Sequence, residues 1–198
     1  MYVADLGKAE ERKKLVSAAE KAHGPISLLV NNAGISGGGT VDQLEQAEME
    51  RIMHLNYTST VLLTQSIYQT MKQRKDGAIV NVASLSGLRG TYGGTAYAAS
   101  KFALIGFTHS MAVEAIEHGV RVNAVCPGYV DTEMGRASAQ RTADREHRSV
   151  SEVVKGSIPS GRMTTSREVA NTIAFLLTDA AENIVGESVK LSGGSVLR

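Results

Sequence analysis

"SLLVNNAG", Ser27–Gly34, reads as a buried strand that ends in asparagine and glycine. Three further segments repeat this form: "GAIVNVAS" (Gly77–Ser84), "VRVNAVCPG" (Val120–Gly128) and "ESVKLSGG" (Glu187–Gly194). Helical stretches separate them, from about Gln46 to Arg74, from Ala96 to Gly119 and from Ser166 to Asp179. In the last of these, Ala170, Ile173, Ala174 and Leu177 share one face at three- and four-residue spacing. The strands are short and rich in Val and Ile, as strands covered on both faces are. Strand–helix alternation predicts an α/β fold, a three-layer, doubly wound parallel sheet with helices on both faces. Ligands of such sheets bind beyond the carboxyl ends of the strands. Asn31–Gly34, Ser84 and Pro127–Gly128 stand at those ends.

The chain of 198 residues suits one domain, residues 1–198, with a substantial core. A formal net charge of +1 gives no electrostatic pull toward nucleic acid or membrane. No apolar run approaches the roughly 18 residues of a membrane span, and the first residues lack a signal-peptide pattern. Cys126 is the only cysteine, so no internal disulfide forms, and a reducing, cytoplasmic setting fits. His23, His54, His109 and His118 have no metal-ligand spacing with carboxylates or cysteine, so no metal is expected.

The chemistry concentrates in "YAASK". Tyr97 and Lys101 stand four apart on a helix and so on one face. A phenol of pKa about 10 is a poor acid–base group at neutral pH. A neighbouring ammonium favours the phenolate and brings that pKa down. Ser84 ends a strand upstream, and its hydroxyl could donate to a substrate carbonyl as charge develops on oxygen. Tyr and Lys at this spacing could also be an ordinary surface pair.

The pair does not stand alone. "NNAG" at Asn31–Gly34, Asn56 in "HLNYTS", Ser84, "YAASK" and "PG" at Pro127–Gly128 occur in the order and spacing of the short-chain dehydrogenase/reductase family. The chain resembles the simple, single-domain form of that family over essentially its whole length. The resemblance implies an oxidoreductase that interconverts a ketone and a secondary alcohol with NAD or NADP. It implies that Tyr97 is the general acid in reduction and the base in oxidation. Lys101 would lower the Tyr97 pKa and hold the nicotinamide ribose. Ser84 would orient the carbonyl, and Asn56 would hold a water linking Lys101 to solvent. Asn32, Ala33, Gly34, Pro127, Gly128, Val130 and Thr132 would contact the cofactor, and Asp5 and Leu6 its adenine. The homo-oligomeric dimers or tetramers of the family would use the long helices and the last strand.

Other features stay open. "GISGGGT" (Gly34–Thr40) follows the fourth strand of the family fold and reads as a rim near the nicotinamide, not a phosphate loop. The segment Gly135–Arg162 carries five arginines and would form a lid over the substrate. A basic lid would suit an anionic substrate or a phosphopantetheine arm, and "SIPSGRMTTSREVANTIAFLL" resembles the ketoreductases that act on 3-oxoacyl thioesters. A solvated helix face is the alternative.

The family's Gly-rich turn after a first strand is absent from this sequence. "YVAD" reads as the end of the third strand, which leaves the first two strand–helix units, about 50 residues, unrepresented. The strand "SLLVNN" would then be an unpaired apolar edge. "MYVA" could instead occupy the vacant place beside it. The competing functional reading is a catalytically impaired chain that serves only as an oligomer partner, or an incomplete gene model.

Overall fold

The computed structural model describes residues 1–197. The sheet has four parallel strands, β1 (Leu28–Asn31), β2 (Gly77–Val82), β3 (Val120–Pro127) and β4 (Ser188–Leu191), side by side in chain order. Their register aligns Leu29 with Ile79 and Ile79 with Val122, which puts one apolar row on one face. Helices α1 (Ala9–His23), α3 (Ser59–Arg74) and α4 (Thr95–Ile116) cover that face. They add Val16, Leu63, Ile67, Met71, Met111 and Ala115 to a core with Leu29, Ile79 and Val122. Helix α7 (Ser166–Leu176) covers the other face, with Val169 and Leu176 against Val80 and Val125. The three layers of the expected α/β fold are therefore present.

Each end of an element has a local cause. Helix α7 opens with a capping box, in which Thr165 and Glu168 satisfy each other's main-chain N–H groups. Helix α1 stops at Gly24, whose φ of 81° lies in the region that glycine enters freely. The basic segment after β3 folds into two helices, α5 (Glu133–Glu146) and α6 (Val150–Ser157), the second capped by Ser149 and Glu152.

Two features depart from the sequence reading. Residues 1–5 form no strand, so the expected strand end at "YVAD" is not found, nor does "MYVA" pair beside β1. Met1 and Val3 are fully or nearly fully exposed, and Leu6 is the first residue packed against the core. The helical stretch from Gln46 is also not uniform. Helix α2 (Gln46–Met53) passes into a π-helical turn at His54–Thr58 before α3 begins. The expected apolar edge is present: among the described residues β1 pairs only with β2, and Leu28 and Val30 face outward at 53% and 39% exposure.

Candidate active site

Strand β2 ends at Val82, and two residues later Ser84 caps a single 3-10 turn, Leu85–Gly87. The Ser84 hydroxyl accepts a hydrogen bond from the Ser86 N–H at 3.1 Å, which fixes its direction. Gly87 lets this turn lie against α4. A Cβ on Gly87 would sit 2.7 Å from the Lys101 carbonyl oxygen and 2.8 Å from the Ile105 side chain. Only a residue without a side chain brings Ser84 this close to the helix that carries Tyr97 and Lys101.

Those two residues face the same way on α4. The Lys101 Nζ lies 5.8 Å from the centre of the Tyr97 ring and donates to the Val82 carbonyl at 2.9 Å. Lys101 is 5% exposed, and burial brings its pKa down to about 8. Burial also raises the pKa of half-buried Tyr97, and the Ser84 hydroxyl works against that rise. The expected lowering of Tyr97 by Lys101 is thus not seen in this state. The ammonium is directed to a main-chain carbonyl, and desolvation of the phenolate prevails. Cys126, beneath the site, is fully buried, and desolvation lifts its thiol to about 11, as befits a core residue.

Asn56 sits in the π-helical turn and is completely buried. The extra residue in such a turn re-aims a side chain inward, a reason these turns gather at functional sites. Its Oδ1 accepts from the Ile35 N–H at 2.8 Å, and its Nδ2 donates to the Ile35 carbonyl at 2.9 Å and to the Ser100 hydroxyl at 3.0 Å. Ser100 in turn donates to the Tyr97 carbonyl at 2.7 Å. Asn56 therefore clamps the loop after β1 to α4, one helical turn from the Tyr97–Lys101 pair. Gly34 lies in that loop. A Cβ there would be 3.2 Å from Asn56 Oδ1 and 3.5 Å from Lys101 Nζ. The bare backbone of Gly34 is what lets this loop lie close against the Asn56 amide.

The remaining expected contacts border the same strand ends. Asn32 and Ala33 follow β1 and are exposed. Pro127 ends β3, and the Gly128 N–H donates to the Leu191 carbonyl at 3.0 Å. Val130 bridges to Thr164 outside the main sheet. The Thr132 hydroxyl caps α5 by accepting from the Gly135 N–H at 3.2 Å. Asp5 and Leu6 precede α1: the Asp5 carboxylate accepts from the Gly7 N–H at 2.9 Å, and Leu6 packs into the core. Sequence reasoning did not single out Ser100 or Gly87. Ser100 lies inside "YAASK", three residues after Tyr97, so its helical spacing was a usable signal. Gly87 had none, because its role depends on contact with α4.

The segment Gly135–Arg162 is less basic than its composition. Arg136 pairs with Asp131, Arg145 and Arg148 with Glu146, and Arg162 with Glu168. Among the described residues, Arg141 alone of the five has no acidic side chain within ion-pair distance.

A family model described as short chain dehydrogenase matches residues 1–143. A 3-oxoacyl-(acyl-carrier-protein) reductase of Vibrio cholerae is 35% identical over 98% of this chain and 79% of its own length. The crystal structure of NAD+-bound xylitol dehydrogenase superposes with a TM-score of 0.91 at 28% identity, covering 98% of this chain and 78% of that one. A variant of actinorhodin polyketide ketoreductase, solved with NADPH, gives the same TM-score at 32% identity, over 97% of this chain and 76% of that one.

Proposed function

The chain belongs to the short-chain dehydrogenase family of NAD(P)-dependent oxidoreductases, and from that premise we propose that it interconverts a 3-oxoacyl thioester, or a related ketone, with the secondary alcohol. The observation that carries the catalytic assignment is the convergence of Ser84, Tyr97 and Lys101 beyond the end of β2, made possible by Gly87. Bound NADH or NADPH supplies the hydride, since no side chain can. Gly34, with Asn32 and Ala33 before it, and Pro127, Gly128, Val130 and Thr132 would line the nicotinamide end of that cofactor. Asp5 and Leu6 would border the adenine.

Tyr97 holds the proton that the carbonyl oxygen takes up in reduction, and its Oη receives it back in oxidation. Its raised pKa keeps the phenol protonated at neutral pH, so the proton is in place before reduction begins. Ser84 holds the carbonyl oxygen in line with that hydroxyl. Lys101 spends one N–H on Val82 and keeps two for the cofactor ribose and the phenol side of the site. Below about pH 8 it carries a charge that, turned toward the phenol when substrate and cofactor bind, would favour release of the Tyr97 proton. Asn56 holds the Gly34 loop beside Lys101. With both its N–H groups engaged, only one lone pair of Oδ1 is left for a relay water.

Among the described residues, no Gly-rich turn joins a strand to a helix ahead of β1. The working unit is one domain that forms a homo-oligomeric dimer or tetramer. Phe102, Gly106 and Val113 leave an exposed apolar stripe on α4 that a second copy would cover. A cytoplasmic setting rests on the single, unpaired thiol of Cys126.

Fluorescence titration with NADH and NADPH, followed by turnover of a 3-oxoacyl thioester, tests the proposal. Tyr97→Phe should keep cofactor affinity and lose turnover. Retained turnover removes Tyr97 from its role. No binding of either cofactor at millimolar concentration favours the impaired-chain reading instead.

A further inference from the structure

One contact outside the catalytic cluster joins its two flanks. The Arg145 guanidinium lies over the ring of Tyr92, 4.5 Å from its centre. Tyr92 belongs to the segment between the Ser84 turn and α4, five residues before Tyr97. Arg145 stands in the last turn of α5, on the segment that leaves β3 at Gly128. The contact therefore ties the connection between two catalytic candidates to the helix that rises from the neighbouring strand end.

Arg145 is itself held. Its Nη2 donates to Glu146 at 2.5 Å, and the other carboxylate oxygen of Glu146 accepts from Arg148 Nη1 at 3.1 Å. Arg148 Nη2 then donates to the Glu152 carbonyl of α6 at 2.7 Å. Four side chains so form an unbroken chain from Tyr92 to both helices after β3. Two local features make room for it. His147 takes a left-handed φ of 53°, which turns the chain between α5 and α6. Gly156 has no Cβ, which would otherwise lie 2.8 Å from Arg148 Nη2.

Tyr92 has little other support. It is 73% exposed, and Gly90, Gly93 and Gly94 flank it, with Gly93 at a φ of 63°. An exposed aromatic ring on a glycine-rich loop loses conformational freedom when it is held. The guanidinium over the ring is the group that offsets this loss. The Arg145 guanidinium carbon stands over the ring, the position from which a cation is drawn to an aromatic face.

We propose that Tyr92 and Arg145 form a clasp that holds α5 and α6 against the catalytic loop and so positions the lid through which the ketone enters. The lid's role in ketone entry rests on the function proposed above, whereas the clasp itself does not. An exposed cation–π contact shifts an opening equilibrium by about two- to fivefold.

Hydrogen–deuterium exchange on the full chain measures that opening directly. Tyr92→Ala and Arg145→Ala should each speed exchange across residues 133–157 by about two- to fivefold, and leave β2 and β3 unchanged. Tyr92→Phe should match the unsubstituted chain, because the ring face remains. Unchanged exchange in both alanine variants overturns the clasp, as does a Tyr92→Phe variant that opens as readily as Tyr92→Ala. In turnover assays the alanine variants should raise KM for the ketone by a similar factor with kcat kept, and an unaltered KM overturns the positioning role. If the unsubstituted chain shows no turnover, that counts against the proposed function alone, and the exchange rates still decide the clasp.

Discussion

Replacing Lys101 with methionine keeps the length of the side chain and removes its charge and donors. Lys101 is 5% exposed, and burial holds its pKa at about 8 against an ordinary 10.5. Below pH 8 the folded protein must carry a buried ammonium, whereas the unfolded chain carries a solvated one. Between pH 8 and 10.5 the unfolded chain binds the proton and the folded one does not, so stability rises with pH. Above 10.5 both are neutral and the penalty is gone. At 1.36 kcal/mol per tenfold in proton affinity, the penalty at pH 7 is at most about 3 kcal/mol. The variant escapes it but leaves the Val82 carbonyl without its partner, at a cost of about 1 to 3 kcal/mol at every pH.

The comparison that matters is therefore the stability difference between the two proteins, followed from pH 7 to pH 10 by urea titration. Circular dichroism is the suitable probe, since the chain has no tryptophan. Relative to Lys101, the methionine variant should lose about 2 to 3 kcal/mol over this range. It should be near or above the parent in stability at pH 7 and clearly below it at pH 10. Titration of groups not coupled to Lys101 is common to both proteins and cancels, and a Cys126→Ala background removes the one coupled thiol. A difference that stays constant across the range would refute a desolvated ammonium at this position.

Other perturbations reach the same site from different sides. Gly87→Ala places a methyl 2.7 Å from the Lys101 carbonyl and should cost about 1 to 3 kcal/mol in a urea titration, with a loss of turnover as Ser84 shifts. Asn56→Ala releases the Ile35 N–H and carbonyl and should lower stability by about 1 to 3 kcal/mol, with faster amide exchange at Ile35 as its local sign. Phe102→Glu puts a charge on the exposed stripe of α4, and light scattering should report a smaller assembly than for the parent.

The fold was legible because its strands are continuous Val- and Ile-rich runs and its helices keep three- and four-residue spacing. Alternation of the two leaves few topologies open. Ser84, Tyr97 and Lys101 were legible for a different reason: their positions follow from one strand end and one helical turn. What the sequence did not display depends on contacts between distant segments. Asn56 was legible as a site residue only through its place in the family order, and its clamp on Ile35 and Ser100 needs the π-helical turn that points it inward; Gly87 is an ordinary glycine until α4 lies against it. The pKa of Tyr97 in this state depends on burial and on where Lys101 donates, and neither follows from four-residue spacing. The same holds for the segment Gly135–Arg162, whose arginines look like a positive field until Asp131, Glu146 and Glu168 pair with them.

The registry of the site has its origin below it. Asn31 on β1 donates to Thr64 of α3 at 2.9 Å and to Asn81 of β2 at 2.8 Å, and Asn81 donates to Thr108 of α4 at 2.9 Å. All four side chains are buried. An apolar core of Val, Ile and Leu would tolerate a helix sliding along the sheet at small cost, since dispersion contacts have little direction. A hydrogen bond between buried amide and hydroxyl has one satisfactory geometry, and breaking it leaves a desolvated polar group. This ladder therefore fixes which turns of α3 and α4 stand over which strand residues. The consequence reaches the strand ends, because α3 continues from the turn holding Asn56 and α4 begins with Tyr97 and Lys101. Those residues meet Ser84 because two asparagines in the sheet leave the helices one register in which to pack.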